Sequence, residues 1–125
     1  MMHKGHLKLR PIRAHVKREG IVDHVKPFLL IEFNGEHWKS DHKQGHHVEW
    51  GHDGHMDLHV KHPHEEDIVL KLKDHEGLLD NEPIGHCTVK AGTFTHHEGQ
   101  HEHEIELMHM GHVAATMVIH AHFDK

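Results

Sequence analysis

The stretch HHVEWGHDGHMDLHV, residues 46–60, holds five histidines in fifteen residues. His52, His55 and His59 have the spacing HxxHxxxH, which on a helix would put three imidazoles on one face. The second half of the stretch decides against that. Met56, Leu58 and Val60 alternate with Asp57 and His59, a period of two that belongs to a strand with one buried face. On a strand, His55, Asp57 and His59 share the outer face, and Gly51 and Gly54 flank the strand's start.

The same period runs outward in both directions. Met117, Ile119, Ala121 and Phe123 alternate with Val118, His120 and His122, and Leu29, Ile31 and Phe33 alternate with Leu30 and Glu32. Asn34-Gly35 separates two such runs, and a two-residue hairpin turn needs positive φ at both positions, which these residues tolerate. Met110-Gly111 divides the last two runs in the same manner. Eight strands are predicted, over residues 6–15, 27–34, 36–41, 54–61, 67–73, 83–90, 103–109 and 113–123. Short strands at this spacing predict an all-β chain, an eight-stranded antiparallel β-sandwich. Pro11 interrupts the first strand and predicts a bulge or edge position, because it has no N–H for the ladder.

Composition narrows the function classes. The 125 residues fit a single domain spanning 1–125. One cysteine, Cys87, allows no internal disulfide and reads as a small buried hydrophobe. No apolar run reaches the ~20 residues of a membrane helix, and no signal peptide is visible, so a cytoplasmic location is expected. Histidine is the anomaly, at 23 residues. The chain carries −6 with imidazoles neutral, and 14 Lys and Arg against 20 Asp and Glu leave +17 when all are charged. With an ordinary imidazole pKa of about 6.5, net charge crosses zero near neutral pH. The histidines run from His3 to His122 without a pure tract, unlike low-complexity metal-storage sequences.

In order along the chain, six segments resemble the C2 domain family. They are GHLKLRPIRAHV (5–16), PFLLIEF (27–33), HWKSD (37–41), VEWG (48–51) running into MDLHV, IVLKLKDHEGLLDNEPIGHCTV (68–89) and HVAATMVIHAHF (112–123). The resemblance implies a topology in which loop 1 follows the first strand. Loop 1 is then about 16–26, loop 2 about 42–50 and loop 3 about 74–83. It also implies a calcium site in those loops, since Ca²⁺ takes six to eight oxygen ligands. The family's loop 3 positions fall on Asp74, Glu76 and Glu82, while Lys26 stands where a loop 1 carboxylate belongs and Asp23 is out of register. A degenerate site with weak Ca²⁺ binding is expected, with Lys26 pairing Asp74 or Glu76 in place of the ion. Ile21, Val22, Leu78 and Leu79 are expected at the tips of loops 1 and 3, either inserted in a bilayer or folded back on the sandwich.

The histidines offer two chemistries. For Zn²⁺ or Cu²⁺, pairs two apart on a strand can clamp one ion loosely at the surface. The candidates are His55 or His59 with Asp57, His62 with His64, His101 with His103, and His120 with His122. For protons, His37, Lys39, His55, His59 and Lys61 are expected to form a basic face that gains charge as pH falls and meets an anionic membrane surface. No nucleophile elbow or phosphate-cradling glycine loop is present, so no enzyme and no required cofactor is expected. Scarce aromatics and no Lys/Arg excess argue against nucleic acid. The expected function is a non-catalytic module with a pH-responsive surface for peripheral membrane association. Metal-mediated binding or cross-linking, and a protein–protein module, are the alternatives.

Overall fold

A computed structural model describes residues 3–17, 25–52, 54–75 and 82–125. The strands are β1 (Gly5–Val16), β2 (Pro27–Phe33), β3 (Glu36–Lys39), β4 (His47–Glu49), β5 (Met56–Val60), β6 (Asp67–Asp74), β7 (Glu82–Lys90), β8 (Gly99–His109) and β9 (His112–Asp124). A short 3-10 turn, Ala91–Phe94, joins β7 to β8. All pairings are antiparallel, in the order β3-β2-β6-β7-β8-β9-β1, with β4 and β5 both on the free side of β1. Those two short strands occupy one edge position, so nine segments fill eight strand positions, as predicted.

The ladder folds over at one place. Among the described residues β7 pairs with β8 in the ladder only at His86 and Met108, so the two halves, β3-β2-β6-β7 and β8-β9-β1-β4/β5, face each other across a shared core. Gly85 makes the fold-over possible. A side chain there would begin 3.2 Å from the Ala114 and Leu107 Cβ atoms. Inward residues from both halves, including Leu7, Leu9, Leu29, Ile31, Leu58, Leu70, Phe94, Ile119 and Phe123, are fully buried. The Cys87 side chain is half-buried against this core, and burial pushes its thiol up to about 11. At neutral pH it is a thiol and not a nucleophile.

Local chemistry explains the joints. Asn34 and Gly35 take φ of 48° and 81°, and Met110 and Gly111 take 50° and 82°, the tight turns read from the sequence. The register of β1 slips between Pro11 and Arg13, with Ile12 as the extra residue. Opposite this bulge the edge strand breaks between β5 and β4. The Trp50 amide donates to Ile12 O, and its indole N–H donates to Asp41 O at 2.7 Å. Buried Trp50 therefore pins the chain where it leaves the edge and returns to it.

The sequence-based strand bounds need three corrections. Residues 47–49, expected inside loop 2, form β4, which Val48 alone marks with a buried side chain. β8 begins at Gly99 rather than at 103. β3 stops at Lys39 because Ser40 turns back: its Oγ accepts the Leu29 N–H, and the hydroxyl donates to Asp41 O.

Candidate functional site

The loop end is described at its roots. The Lys26 N–H donates to Asp74 Oδ1 at 2.8 Å and the His75 N–H donates to Lys26 O, which ties loop 3 to loop 1. The Gly45 N–H donates to Val25 O, which brings loop 2 alongside. The described roots of the three loops therefore gather at one end, with loop 1 after β1. Asp74 is buried and stands opposite Glu82 in the β6–β7 ladder. It is the Lys26 backbone amide, not the Lys26 ammonium, that meets the Asp74 carboxylate. The His75 ring stacks on His42 of loop 2 at 4.2 Å, a contact with no signal in the sequence. Asp23, Glu76, Ile21, Val22, Leu78 and Leu79 lie outside the described residues.

The expected basic face divides between two surfaces. His37 and Lys39 are on β3, in the first half of the sandwich, and His59 is on β5, in the second. Inward-facing Trp38 and Leu58 set their outward directions, so His37 and His59 point from opposite outer faces. His55 precedes β5, and Lys61 follows it into a turn. That turn also takes His62 and His64, which therefore do not sit two apart on a strand. Glu66 organises it: its carboxylate accepts the Lys61 and His62 N–H groups. Burial would raise the Glu66 carboxyl, but these bonds and one from Asn34 outweigh it and hold the group low.

The second half carries most of the histidine pattern on its outer face. β1 presents His6, Lys8, Arg10, Arg13 and His15 in turn. Across the ladder, β9 sets Asp124, His122, His120, Val118 and Thr116 beside them in the same order. β8 continues the rows with Gln100, Glu102, Glu104 and Glu106. On the other side, His59 and Asp57 of β5, and Glu49 and His47 of β4, oppose His6, Lys8, Arg13 and His15. With His55, seven imidazoles share this face with Lys8, Arg10 and Arg13 and with six carboxylates. The face is therefore net negative by three with imidazoles neutral, and positive by four when all are charged.

The imidazoles on this face are not isolated. His6 stacks on His59 at 4.7 Å, and the His15 and His47 Nδ1 atoms are 2.8 Å apart. That hydrogen bond needs one ring as acceptor, so it is lost when both carry protons. His55 Nε2 lies 3.4 Å from Asp57 Oδ1, and His122 Nε2 lies 3.6 Å from Asp124 Oδ1. The Asp57 pairing is with His55, and His59 turns to His6 instead. His120 and His122 point outward from adjacent rows.

His101 and His103 do the opposite. They take inward positions on β8, opposite Ala121 and Ile119, and are half-buried. His101 Nδ1 and His103 Nε2 are 2.6 Å apart, and the His103 ring meets Phe94 edge-on. Among the described residues no group of three or more His, Cys, Asp or Glu is placed to hold a metal ion.

The shifts that are resolved among the histidines all run one way. Burial, then neighbouring positive charge, lowers His15, with His47 the first such neighbour. Burial lowers His101 and His103, and the Phe94 backbone opposes this at His101. Burial, then Arg10 and His122, lowers His120, with Glu102 opposing. His3 is lowered in the same direction. A base whose folded pKa lies below its unfolded value is bound to fewer protons in the fold, so its protonation destabilises. Stability is full above the unfolded imidazole value of about 6.5 and is lost as pH falls through the lower folded values. The thermal midpoint is expected to fall steadily between about pH 7 and about pH 5, before most carboxylates titrate. Scanning calorimetry across that window checks the sign.

Comparison with known proteins gives a fold and no close relative. No family model and no curated protein matches the chain by sequence. Solved structures do match. The first C2 domain of plant Extended Synaptotagmin 1 superposes with a TM-score of 0.80 at 15% identity, covering 96% of this chain and 94% of that one. A C2 domain-containing protein from a putative elicitor-responsive gene gives 0.76 at 13% identity, over 97% and 89%. Human GIVD cytosolic phospholipase A2 gives 0.75 at 10% identity, over 99% of this chain but 16% of the enzyme. No helix among the described residues is long and apolar enough to cross a membrane. The strand order, the loop 1 connection and these superpositions agree, and the chain has the fold of a C2 domain.

Proposed function

We propose that this chain, read as a single domain over residues 1–125, is a non-catalytic binding module that docks peripherally on anionic membranes as pH falls. The observation that carries the reading is the make-up of the outer face of β8-β9-β1-β4/β5, where seven imidazoles stand beside three fixed cations. Each cationic side chain near an anionic bilayer contributes about 1 kcal/mol. Protonation therefore converts a repelled surface into an attracted one. The opposite outer face carries His37, Lys39, Lys71 and Lys73, with Lys71 held at 2.6 Å by Glu32, and the acid response is not assigned to it. The location that follows is cytoplasmic, at a membrane surface in acid.

Calcium is not the trigger in this reading. Asp74 Oδ1 already accepts the Lys26 N–H. Calorimetry at neutral pH is expected to show Ca²⁺ binding no tighter than the ~10⁻³ M end of the known range. Micromolar binding would overturn the degenerate-site reading. Transition metal is the second reading, favoured by His55 beside Asp57. Sedimentation with anionic vesicles over pH, with and without Ca²⁺ and Zn²⁺, separates the three. Proton-driven binding without either metal supports the proposal, and binding only with a metal defeats it.

A further inference from the structure

Part of the histidine face is a surface groove, open to solvent. It holds about 180 Å³ between β1, β9, the start of β8 and the chain before β5. That is room for roughly six waters at ~30 Å³ each, enough for a phosphoryl group with part of its hydration. Its lining is Lys8, Arg10, Gln100, His120 and His122, joined by His52 and His55. Two fixed cations and four imidazoles line it, and no carboxylate is among its described lining residues. The sheet rows explain this. Lys8 and His122 are opposite each other, as are Arg10 and His120, so four nitrogen-bearing side chains form a square on adjacent strands. Gln100 stands opposite His122, and its Oε1 is 3.1 Å from His120 Nε2.

We propose that this groove is a binding site for a phosphomonoester. An arginine fork, a lysine and imidazolium N–H groups suit a compact dianion with three terminal oxygens. A carboxylate is planar, carries one charge and presents fewer acceptors. The inference rests on the membrane reading only for the source of the ligand, a phosphomonoester lipid headgroup or free phosphate.

Charged groups around the groove set its pH dependence. Asp57 faces Lys8 and contacts His55, Asp124 contacts His122, and Glu102 stands opposite His120. Inside, burial first and then Arg10 and His122 act against a proton on His120 while the site is empty. A bound dianion offsets the neighbouring positive charge, so binding and protonation reinforce each other. The ligand's own second pKa, near 6, limits the gain below that value. Affinity is expected to peak around pH ~6.

The test uses the full chain at about pH 6, with NMR of the imidazole resonances during titration with inorganic phosphate. A saturable, one-to-one response at His120 and His122 is expected, weakened about tenfold or more in Arg10→Gln and in His120→Gln. Lys71→Gln, on the other outer face, should leave it unchanged. A uniform, non-saturating drift of all imidazoles, or a response untouched by both pocket variants, would overturn the proposal. Vesicles identify the source: phosphatidic acid carries a phosphomonoester and phosphatidylserine a diester. Preference for phosphatidic acid at equal lipid charge, lost in Arg10→Gln, assigns the headgroup. Saturable phosphate binding without vesicle binding keeps the pocket, assigns free phosphate, and removes the membrane reading. Vesicle binding that ignores headgroup type, with no saturable phosphate response, removes the pocket and keeps the membrane reading.

Discussion

Affinity for phosphatidylserine vesicles is expected to rise on the order of 10²-fold as pH falls from about 7.5 to about 6. An imidazole of ordinary pKa passes from roughly one-tenth to roughly three-quarters charged over that interval. Seven such groups on one face would gain about four to five charges, an upper limit of about 4–5 kcal/mol at an anionic surface. Two effects reduce it. Burial and neighbouring cations hold His15 and His120 low, and each new charge opposes the next. About half the limit, ~2–3 kcal/mol, is the expected net, which is the stated factor. The gain is electrostatic, so it should shrink steeply as salt rises from about 0.1 M to about 1 M, where the Debye length falls from ~10 Å to ~3 Å. A gain that survives high salt would point to apolar insertion instead.

Phe123→Ala is expected to cost about 3–5 kcal/mol, measured by denaturant or thermal unfolding. Phe123 is fully buried on β9, with Leu7 opposite on β1 and Gly99 opposite on β8. Its ring lies against Gly5, where a side chain's first carbon would come within 2.9 Å of Phe123 Cε1. The ring therefore fills the space that glycine leaves at the start of β1. Truncation leaves a cavity between three strands that pair along most of their length and have little room to collapse. For a chain of this size the thermal midpoint should fall on the order of 10–20 °C. With total stabilities of about 5–15 kcal/mol for ordinary domains, the variant is expected to be marginal at low pH, where the lowered histidines already weaken the fold. A loss below about 1 kcal/mol would mean that this corner is not packed as described.

How much of this was legible in the sequence depends on what each residue had to announce. Strands with apolar side chains at every second position, such as Met56–Val60, read correctly, because alternation and burial are one fact. The two tight turns read correctly because Asn34, Gly35 and Gly111 accept positive φ, and Met110 is carried into it by the glycine turn beside it. The start of β8 did not, because Gly99, His101 and His103 occupy inward positions where apolar side chains normally mark the face. Those two histidines were expected at the surface for the same reason. The basic face also failed to read as one surface. Alternation tells whether His37 or His59 points outward, but not from which half of the sandwich. Only the pairing of β5 with β1, and of β3 with β2, separates them. The Lys8, Arg10, His120 and His122 square was equally invisible, since it joins residues more than a hundred positions apart.

The pH response is assigned to one sheet face, acting through its imidazoles. Two variants separate that face from the rest of the surface, compared by phosphatidylserine vesicle sedimentation at about pH 7.5 and about pH 6. One replaces His6, His59, His120 and His122 with Gln, all on the outer face of β8-β9-β1-β5. The other replaces His37, His62, His64 and His86, equal in number and away from it. The first is expected to lose most of the acid-dependent gain and the second to keep it. Equal loss in both, or an undiminished gain in the first, would refute the assignment.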